Sequence, residues 1–356
     1  MKVHIVSESK HFKGNGVYTA FISHIELMQG IENVEVVINN DGHGDILHSH
    51  SWSPIFFMKG LRYKGRRIHT AHVIPESIIG SLPMWHIFMP IVKWYFRKVY
   101  SFADVCIAIS PHVEEVIRES GAKTEIVQIS NPISTEKWKS SPEGRKKGRA
   151  LLGIGEAEFV VLGVGQLQGR KGVEDFIEIA RNIPEAKFIW VGGRPLKAMT
   201  EGIARIDKQM DNAPSNLSFT GMIDLESMPL AYNAADMMLF LSYQENCPLA
   251  PIEAAASGLP VVFRDLPEYE TLYEHAYIKG SNNEEFADLV KRLMKDPLFF
   301  ADAVKISNNL IRQFDTDIIR EKLLLLYKQL YERYKHRSND KPLKASISLL
   351  DVKKHL

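Results

Sequence analysis

The chain has 356 residues, 45% hydrophobic and 24% charged, a length suited to two ordinary domains and a balance that excludes a disordered or fibrous protein. Only two cysteines occur, Cys106 and Cys247, which excludes a disulfide scaffold and a cysteine-built zinc site and suits a reducing cytoplasm. The net charge of +1 conceals an imbalance: residues 1–150 carry 19 Lys/Arg against 14 Asp/Glu and the remainder 25 against 29, a basic half that suits either an anionic partner or a solvated face.

In chain order, the pattern alternates strand with helix, which predicts parallel α/β sheets covered on both faces. Val3–Ser7 reads as a strand, followed by a glycine-containing loop (Gly14, Asn15, Gly16) and a helix from Val17 to Met28. Val34–Ile38, Ile46–His48, Arg67–Thr70 and Val105–Ser110 are further strands, and a helix Pro111–Glu119 and a strand Glu125–Ile129 complete a first doubly wound half. The stretch SSPEGRKKGRALLGIG, rich in charge and glycine, is the expected linker. A second series then runs through Phe159–Gly165, Lys187–Val191, Leu217–Thr220, Met237–Leu241 and Pro260–Phe263, and ends in an amphipathic helix over Ile318–Tyr334 with a loose polar tail after Lys335. The expected domains are 1–148, 149–316, and a C-terminal helix and tail over 317–356. No apolar run reaches the ~18–20 residues of a membrane span, and MKVHIVSESK is too short and polar for a signal peptide.

The densest chemistry lies in SYQENCPLAPIEAAASGLPVV, residues 242–262. A strand ends, a polar loop follows, and a helix opens near Leu249, so the amides of Leu249 and Ala250 sit at the positive end of a helix dipole without intrahelical partners. Such an end suits a diphosphate. Glu245 and Glu253, eight positions apart, would repel phosphate but can accept hydrogen bonds from hydroxyls on either side.

This segment resembles the family-4 glycosyltransferases of GT-B fold. Glu245, Glu253 and Gly258-Leu259-Pro260-Val261 match their Glu-x7-Glu signature and the Gly-hydrophobic-Pro-Val that follows it. The resemblance implies two Rossmann-like domains facing each other across a cleft, with the C-terminal helix returning to the first. It also implies retention of anomeric configuration, Glu245 at the hydroxyls of the donor sugar, and Glu253 at the ribose. FVVLGVGQLQGRKG, residues 159–172, matches the loop that places cations on the leaving diphosphate: Lys171 is the motif's lysine, and Gln166 stands where the family has arginine, with Arg170 a substitute for the missing charge. Gly16, Gly165, Gln166, Asn246, Leu249 and Ala250 complete the donor site by resemblance. His72, in IHTAH, matches a histidine near the donor sugar, and Ser110 and Asn131 match further family positions or serve as a strand-end serine and a turn asparagine.

Two competing patterns carry less. Gly163, Gly165 and Gly169 approximate a dinucleotide loop, but no acid follows the next strand, where Arg194 would fit only a phosphorylated nicotinamide cofactor. Asp315-Thr316-Asp317 has the Asp-x-Asp form that glycosyltransferases of another fold use for metal, yet its place before the last helix fits capping. No metal, no cofactor beyond the nucleotide sugar, and no nucleic-acid partner are expected.

For the acceptor, SLPMWHIFMPIVKWYFRKVYSF, residues 81–102, interleaves Trp85, Trp94 and other aromatics with Lys93, Arg97 and Lys98 on a helical stretch. This suits either an element lying on an anionic membrane or a core helix with snorkelling bases. GQLQGRKGVEDF, AADMMLFLSYQEN and FRDLPEYETLY are similar to the bacterial diacylglycerol glucosyltransferases. That likeness implies UDP-glucose as donor, a diacylglycerol or glycolipid acceptor, and peripheral attachment to the inner face of the cell membrane. A soluble, polyprenyl-linked or wall-polymer acceptor stays open, as does a binding protein with the fold but no turnover.

Overall fold

Short β-branched runs separated by loops set out the strands, the composition of parallel strands buried on both faces. The computed structural model describes residues 1–8, 16–40, 42–78, 85–194 and 203–335. Among the described residues, contacts form a first unit within 1–78, 86–132 and 314–335, and a second within 133–313.

In the first unit, β1 (Lys2–Val6), β2 (Glu35–Ile38), β3 (Ile46–Ser49), β4 (Arg66–Ala71), β5 (Val105–Ala108) and β6 (Glu125–Gln128) form a parallel sheet in the order β2-β1-β3-β4-β5-β6. Helices α1 (Gly16–Met28), α2 (Pro54–Leu61), α3 (Trp85–Phe102) and α4 (Pro111–Glu119) connect them. The strand order reverses between β1 and β3, and crevices at such points, beyond the carboxyl ends of the strands, are where open α/β sheets take ligands.

In the second unit, α5 (Thr135–Trp138) and α6 (Pro142–Leu152) precede β7 (Val160–Val164), α7 (Val173–Asn182), β8 (Lys187–Val191), α8 (Ile203–Asp211) and β9 (Leu217–Gly221). Then follow α9 (Met228–Ala234), β10 (Met237–Phe240), α10 (Ala250–Ala256), β11 (Val261–Arg264), α11 (Pro267–Leu272), β12 (Ile278–Gly280), α12 (Asn283–Lys295) and α13 (Pro297–Ile311). The sheet runs β12-β11-β10-β7-β8-β9, all parallel. Counted from β7 this is the 3-2-1-4-5-6 order of a Rossmann fold, with its reversal between β7 and β10.

The last helix, α14 (Thr316–Lys335), belongs to the first unit. Its Ile319, Leu323, Leu326, Tyr327 and Leu330 recur at helical spacing and join the core of Val3, Ile5, Phe21, Ile46 and Val105. Asp315 Oδ1 accepts the Asp317 amide at 2.9 Å, so the Asp-Thr-Asp triplet caps this helix.

The expected linker is corrected. Its charge and glycine content read as loop, yet residues 142–152 are α6, capped by Ser141 and closed by Gly153, and the boundary between units falls after Pro132 instead of at 148. The charges have partners: Arg145 and Arg149 both reach Asp236, at 2.6 and 3.0 Å, and Arg149 also donates to the carbonyls of Glu156 and Glu158. Gly148 is there for close approach, since a Cβ would lie 2.1 Å from the Leu230 carbonyl oxygen on α9. Residues 9–15, with Gly14 and Asn15 of the expected loop, residues 79–84, the Trp85 side chain and the tail beyond Lys335 lie outside the described residues.

Candidate active site

At the reversal of the second sheet, the loops after β7 and β10 meet. The first leaves Val164 through Gly165 and half-buried Gln166 and tightens into a turn over Gly169–Lys171. Gly172 closes it at φ +73°, with its α-carbon pressed against the Leu241 carbonyl so that a Cβ would lie 2.4 Å from that oxygen. The two loops are also stitched by the Tyr243 amide, which donates to the Arg170 carbonyl at 2.8 Å.

This places the Lys171 ammonium on the Glu245 carboxylate, to which it donates a short hydrogen bond, with both side chains largely buried. Burial pushes the Lys171 pKa down; the Glu245 charge opposes that shift and the Arg170 guanidinium adds to it. Arg170 itself donates from Nε to Gln168 Oε1 at 3.0 Å. The structure thus brings Lys171, Arg170 and Glu245 together, with Asn246 adjoining in the chain. Gln166 lends the turn a carbonyl, which accepts the Gln168 amide at 2.8 Å.

Buried Leu249 precedes α10, and the first amide that folds back is that of Ile252, to the Leu249 carbonyl at 2.9 Å. Pro251 has no N–H, so Ala250 at the first helical position supplies a donor that the helix cannot use. Glu253 lies one turn deeper, only 6% exposed, and its Oε2 accepts from the Tyr232 hydroxyl at 2.7 Å. Burial raises its pKa to about 7, against the Tyr232 hydrogen bond and the Lys137 charge.

The Glu253 shift has a consequence for stability. The folded pKa is raised above the ordinary 4.5, so between pH 4.5 and about 7 the folded state holds more protons than the unfolded one, and stability contributed here falls as pH rises. Glu253→Gln is expected to gain roughly 2–4 kcal/mol relative to wild type between pH 4.5 and pH 8, read from urea midpoints at the two pH values. A constant difference across that range counts against it.

Several groups around the site were not legible as site residues. Arg264, buried, donates to Asp175 Oδ2 at 2.6 Å and to the Leu241 carbonyl, and lies 3.8 Å over the Tyr243 ring, while the Tyr243 hydroxyl donates to the same Asp175 oxygen at 2.7 Å. This ties the loop after β10 to α7. Tyr269 and Tyr273 pack with Phe263 and Tyr277, and their hydroxyl pKa values are raised first by burial, then by the Glu245 charge for Tyr269 and by Cys247 and Glu245 for Tyr273. Aromatics at 269, 273 and 277 are the signal that points to this cluster.

In the first unit, Gly16 opens α1 and is exposed. His72, just past β4, is buried with its Nε2 2.8 Å from His50 Nδ1. Ser110 caps α4 by accepting from the Val113 amide at 3.3 Å, and Asn131 is buried.

Helix α3 resolves the two readings of its aromatics by dividing them. Phe96, Val99 and Tyr100 are buried, whereas Ile87, Phe88, Ile91 and Trp94 are exposed, the last two at 65% and 60%. Lys93, Arg97 and Lys98 share the exposed surface, Lys93 paired with Glu76 at 3.1 Å and Lys98 5.8 Å from the Trp94 ring. The adjoining α2 adds exposed Ile55, Met58 and Leu61, with Trp52 just before it. It is held there by Phe57 edge-on to Tyr95 and Phe102 and by Trp52 stacked on Phe96. Apolar residues at 55, 58 and 61 beside Lys59 and Arg62 carry the amphipathic signal that the α3 aromatics overshadow.

The glycines at the end of β7 serve packing: a Cβ on Gly163 would lie 2.6 Å from the Trp190 ring, and the Gly165 carbonyl accepts the Trp190 indole N–H at 3.0 Å. Arg194 pairs with Asp207. Neither feature makes a nicotinamide site.

Residues 158–296 match the family described as Glycosyl transferases group 1, and residues 31–137 match Glycosyltransferase Family 4. The chain is 28% identical over 339 residues to the alpha-galactosylglucosyldiacylglycerol synthase of Streptococcus pneumoniae, covering 94% of this chain and 90% of that one. It is 29% identical over 303 residues to the processive diacylglycerol alpha-glucosyltransferase of Acholeplasma laidlawii, covering 83% and 89%. Among solved structures, Anabaena HepE in complex with UDP-glucose superimposes with a TM-score of 0.74 at 17% identity, over 92% of this chain and all of that one. Sucrose-phosphate synthase from Thermosynechococcus elongatus does so at 0.75 and 18%, over 93% and 99%.

Proposed function

The chain belongs to the family-4 glycosyltransferases of GT-B fold, and from that premise we propose that it moves glucose from UDP-glucose to diacylglycerol or a monoglycosyl-diacylglycerol, with retention of configuration. The observation that carries the reading is the Lys171–Glu245 pair at the β7/β10 reversal, next to the opening of α10. An ammonium held in a largely buried loop is costly to desolvate and is kept charged by its carboxylate partner. On arrival of the nucleotide sugar, the diphosphate takes the ammonium and the released carboxylate accepts sugar hydroxyls.

Departure of the diphosphate is the step with the largest charge development, and donors already aimed at it supply most of the acceleration. Lys171, with Arg170 and the amides at Leu249–Ala250, meets that charge with protein groups in place of a metal ion. Glu253 takes the ribose, and a phosphate oxygen helps remove the acceptor proton. The names of the two glycolipid synthases, matched over most of their length, support a diacylglycerol-based acceptor; the name of the Acholeplasma enzyme supports glucose as the sugar moved, whereas the Streptococcus name carries galactose beside glucose. A panel of nucleotide sugars against diacylglycerol, monoglycosyl-diacylglycerol and soluble acceptors, with products identified by mass, tests it. Transfer only to soluble acceptors overturns the lipid assignment.

With such an acceptor the enzyme works at a membrane surface, the exposed faces of α3 and α2 lying on anionic lipid. No helix among the described residues is long and apolar enough to cross a membrane, so attachment rests on partial insertion and charge. Removing one lysine near the surface costs about 1 kcal/mol, and withdrawing an inserted tryptophan costs about as much again or more. Lys93→Ala with Trp94→Ala is therefore expected to weaken binding to anionic vesicles by about tenfold to a hundredfold. Pelleting at low and high salt measures it, and unchanged, salt-insensitive binding defeats the membrane version.

A further inference from the structure

The buried histidines of the first unit have a geometry that the transferase reading leaves unused. His24 projects from α1, His50 follows β3 and His72 follows β4, so three separate elements deliver three imidazoles to the crevice beside the β1/β3 reversal. One ring nitrogen from each can be chosen so that all three lie within 4.8 Å of one another. Ring centroids stand 4.7 Å apart for His24 and His50 and 5.1 Å for His50 and His72.

We propose that His24, His50 and His72 form a binding site for a divalent transition-metal ion of the zinc class. Three neutral imidazoles are a zinc donor set, whereas magnesium and calcium require oxygen ligands, of which this set has none. With metal–nitrogen bonds of about 2.0–2.1 Å, tetrahedral ligand nitrogens stand about 3.3 Å apart. The His50–His72 contact at 2.8 Å therefore opens by about half an ångström, and His24 moves inward. A fourth position is left for water or another ligand.

The second, independent observation is His24 itself. It is fully buried, and neither of its ring nitrogens has a hydrogen-bond partner among the described residues. An unsatisfied buried polar group costs about 1–3 kcal/mol, and buried polar atoms in native proteins almost always find a partner. A metal ion satisfies one of these nitrogens. A neutral imidazole keeps a lone pair on one ring nitrogen, so each of the three rings has one nitrogen to offer a metal, and the proton shared in the His50–His72 contact moves to a nitrogen outside the site. His48, the neighbour at 4.4 Å from His50, is excluded as a ligand because both its nitrogens are engaged, with the Tyr327 hydroxyl and with Thr70 Oγ1, each at 2.6 Å. It buttresses the set without joining it.

The test uses the untagged full chain, stripped with chelator and free of nucleotide sugar and lipid, so that failure here leaves the transferase reading standing and the reverse. Titration with Zn2+ against a chromogenic chelator is expected to show one equivalent bound with a dissociation constant below about 1 µM and a raised melting temperature. His24→Gln and His50→Gln each weaken that binding at least a hundredfold, and Cys247→Ser leaves it unchanged. Co2+ added to the wild type is expected to give the visible spectrum of a four- or five-coordinate ion without a thiolate charge-transfer band. This readout holds even if a histidine variant does not fold. Binding weaker than about 10 µM, a thiolate band, or full affinity in both histidine variants overturns the site.

Discussion

Lys171→Ala is expected to lower transferase turnover at least a thousandfold while far-UV circular dichroism and the melting transition stay close to wild type. Loss of one preorganised donor to a developing oxyanion costs about a hundredfold to a thousandfold, and here the lost group is a full charge placed on a leaving diphosphate. The fold tolerates the change because the loop is held by Gly172 against Leu241, by the Tyr243 amide on the Arg170 carbonyl, and by the Lys171 amide, which donates to the Gln168 carbonyl at 3.0 Å. None of these uses the ammonium. Lys171→Arg restores part of the rate, since charge is kept and position is not. Glu245→Ala acts differently: it releases the ammonium and removes a hydroxyl acceptor, so discrimination between sugars declines more than affinity for UDP. Single-turnover transfer from labelled UDP-glucose, with UDP binding measured separately, distinguishes the two. A near-wild-type rate in Lys171→Ala removes the basis of the mechanism.

The second large effect is on stability. Asp236 accepts from Arg145, from Arg149 and from the Val160 amide at 2.8 Å, joining α6 to the first strand of the second unit. Asp236→Ala leaves Arg149, whose side chain is 5% exposed, as a buried cation retaining only carbonyl partners. Breaking such a pair from one side costs about 3–5 kcal/mol. Urea unfolding is expected to show that loss as a lower midpoint at an unchanged slope. A change under 1 kcal/mol would mean that α6 is loosely attached, as a linker helix would be.

The places where sequence and structure part company share a cause. Residues 140–155 look like a linker because their charges and glycines carry no apolar stripe. What makes them a packed helix is Asp236 and the bare backbone of Leu230, both more than 80 positions away. The same holds for the histidines. His24, His50 and His72 have no ligand-like spacing in the chain, and only strand pairing and the placement of α1 make them neighbours. Ile55, Met58 and Leu61 carry an amphipathic pattern of their own, but only the docking of α2 on α3 through Phe57 joins them and Trp52 to the exposed face of α3.

The motif around Glu245 and Glu253 was readable because its information is local: a strand, a turn and a short helix set by adjoining residues. Locality has limits within the motif too. Spacing alone cannot show that Glu253 is closed over by Tyr232 while Glu245 pairs with Lys171, 74 positions earlier.

Alternating apolar segments determined by themselves that this chain forms two parallel α/β sheets, since burial on both faces demands that composition and helical crossovers follow from parallel pairing. Local chemistry also determined which loops carry cations and carboxylates. Tertiary structure alone decided which charges meet and which aromatics of α3 face solvent. Those outcomes depend on side chains delivered from distant elements, and chain spacing holds no record of distance through space.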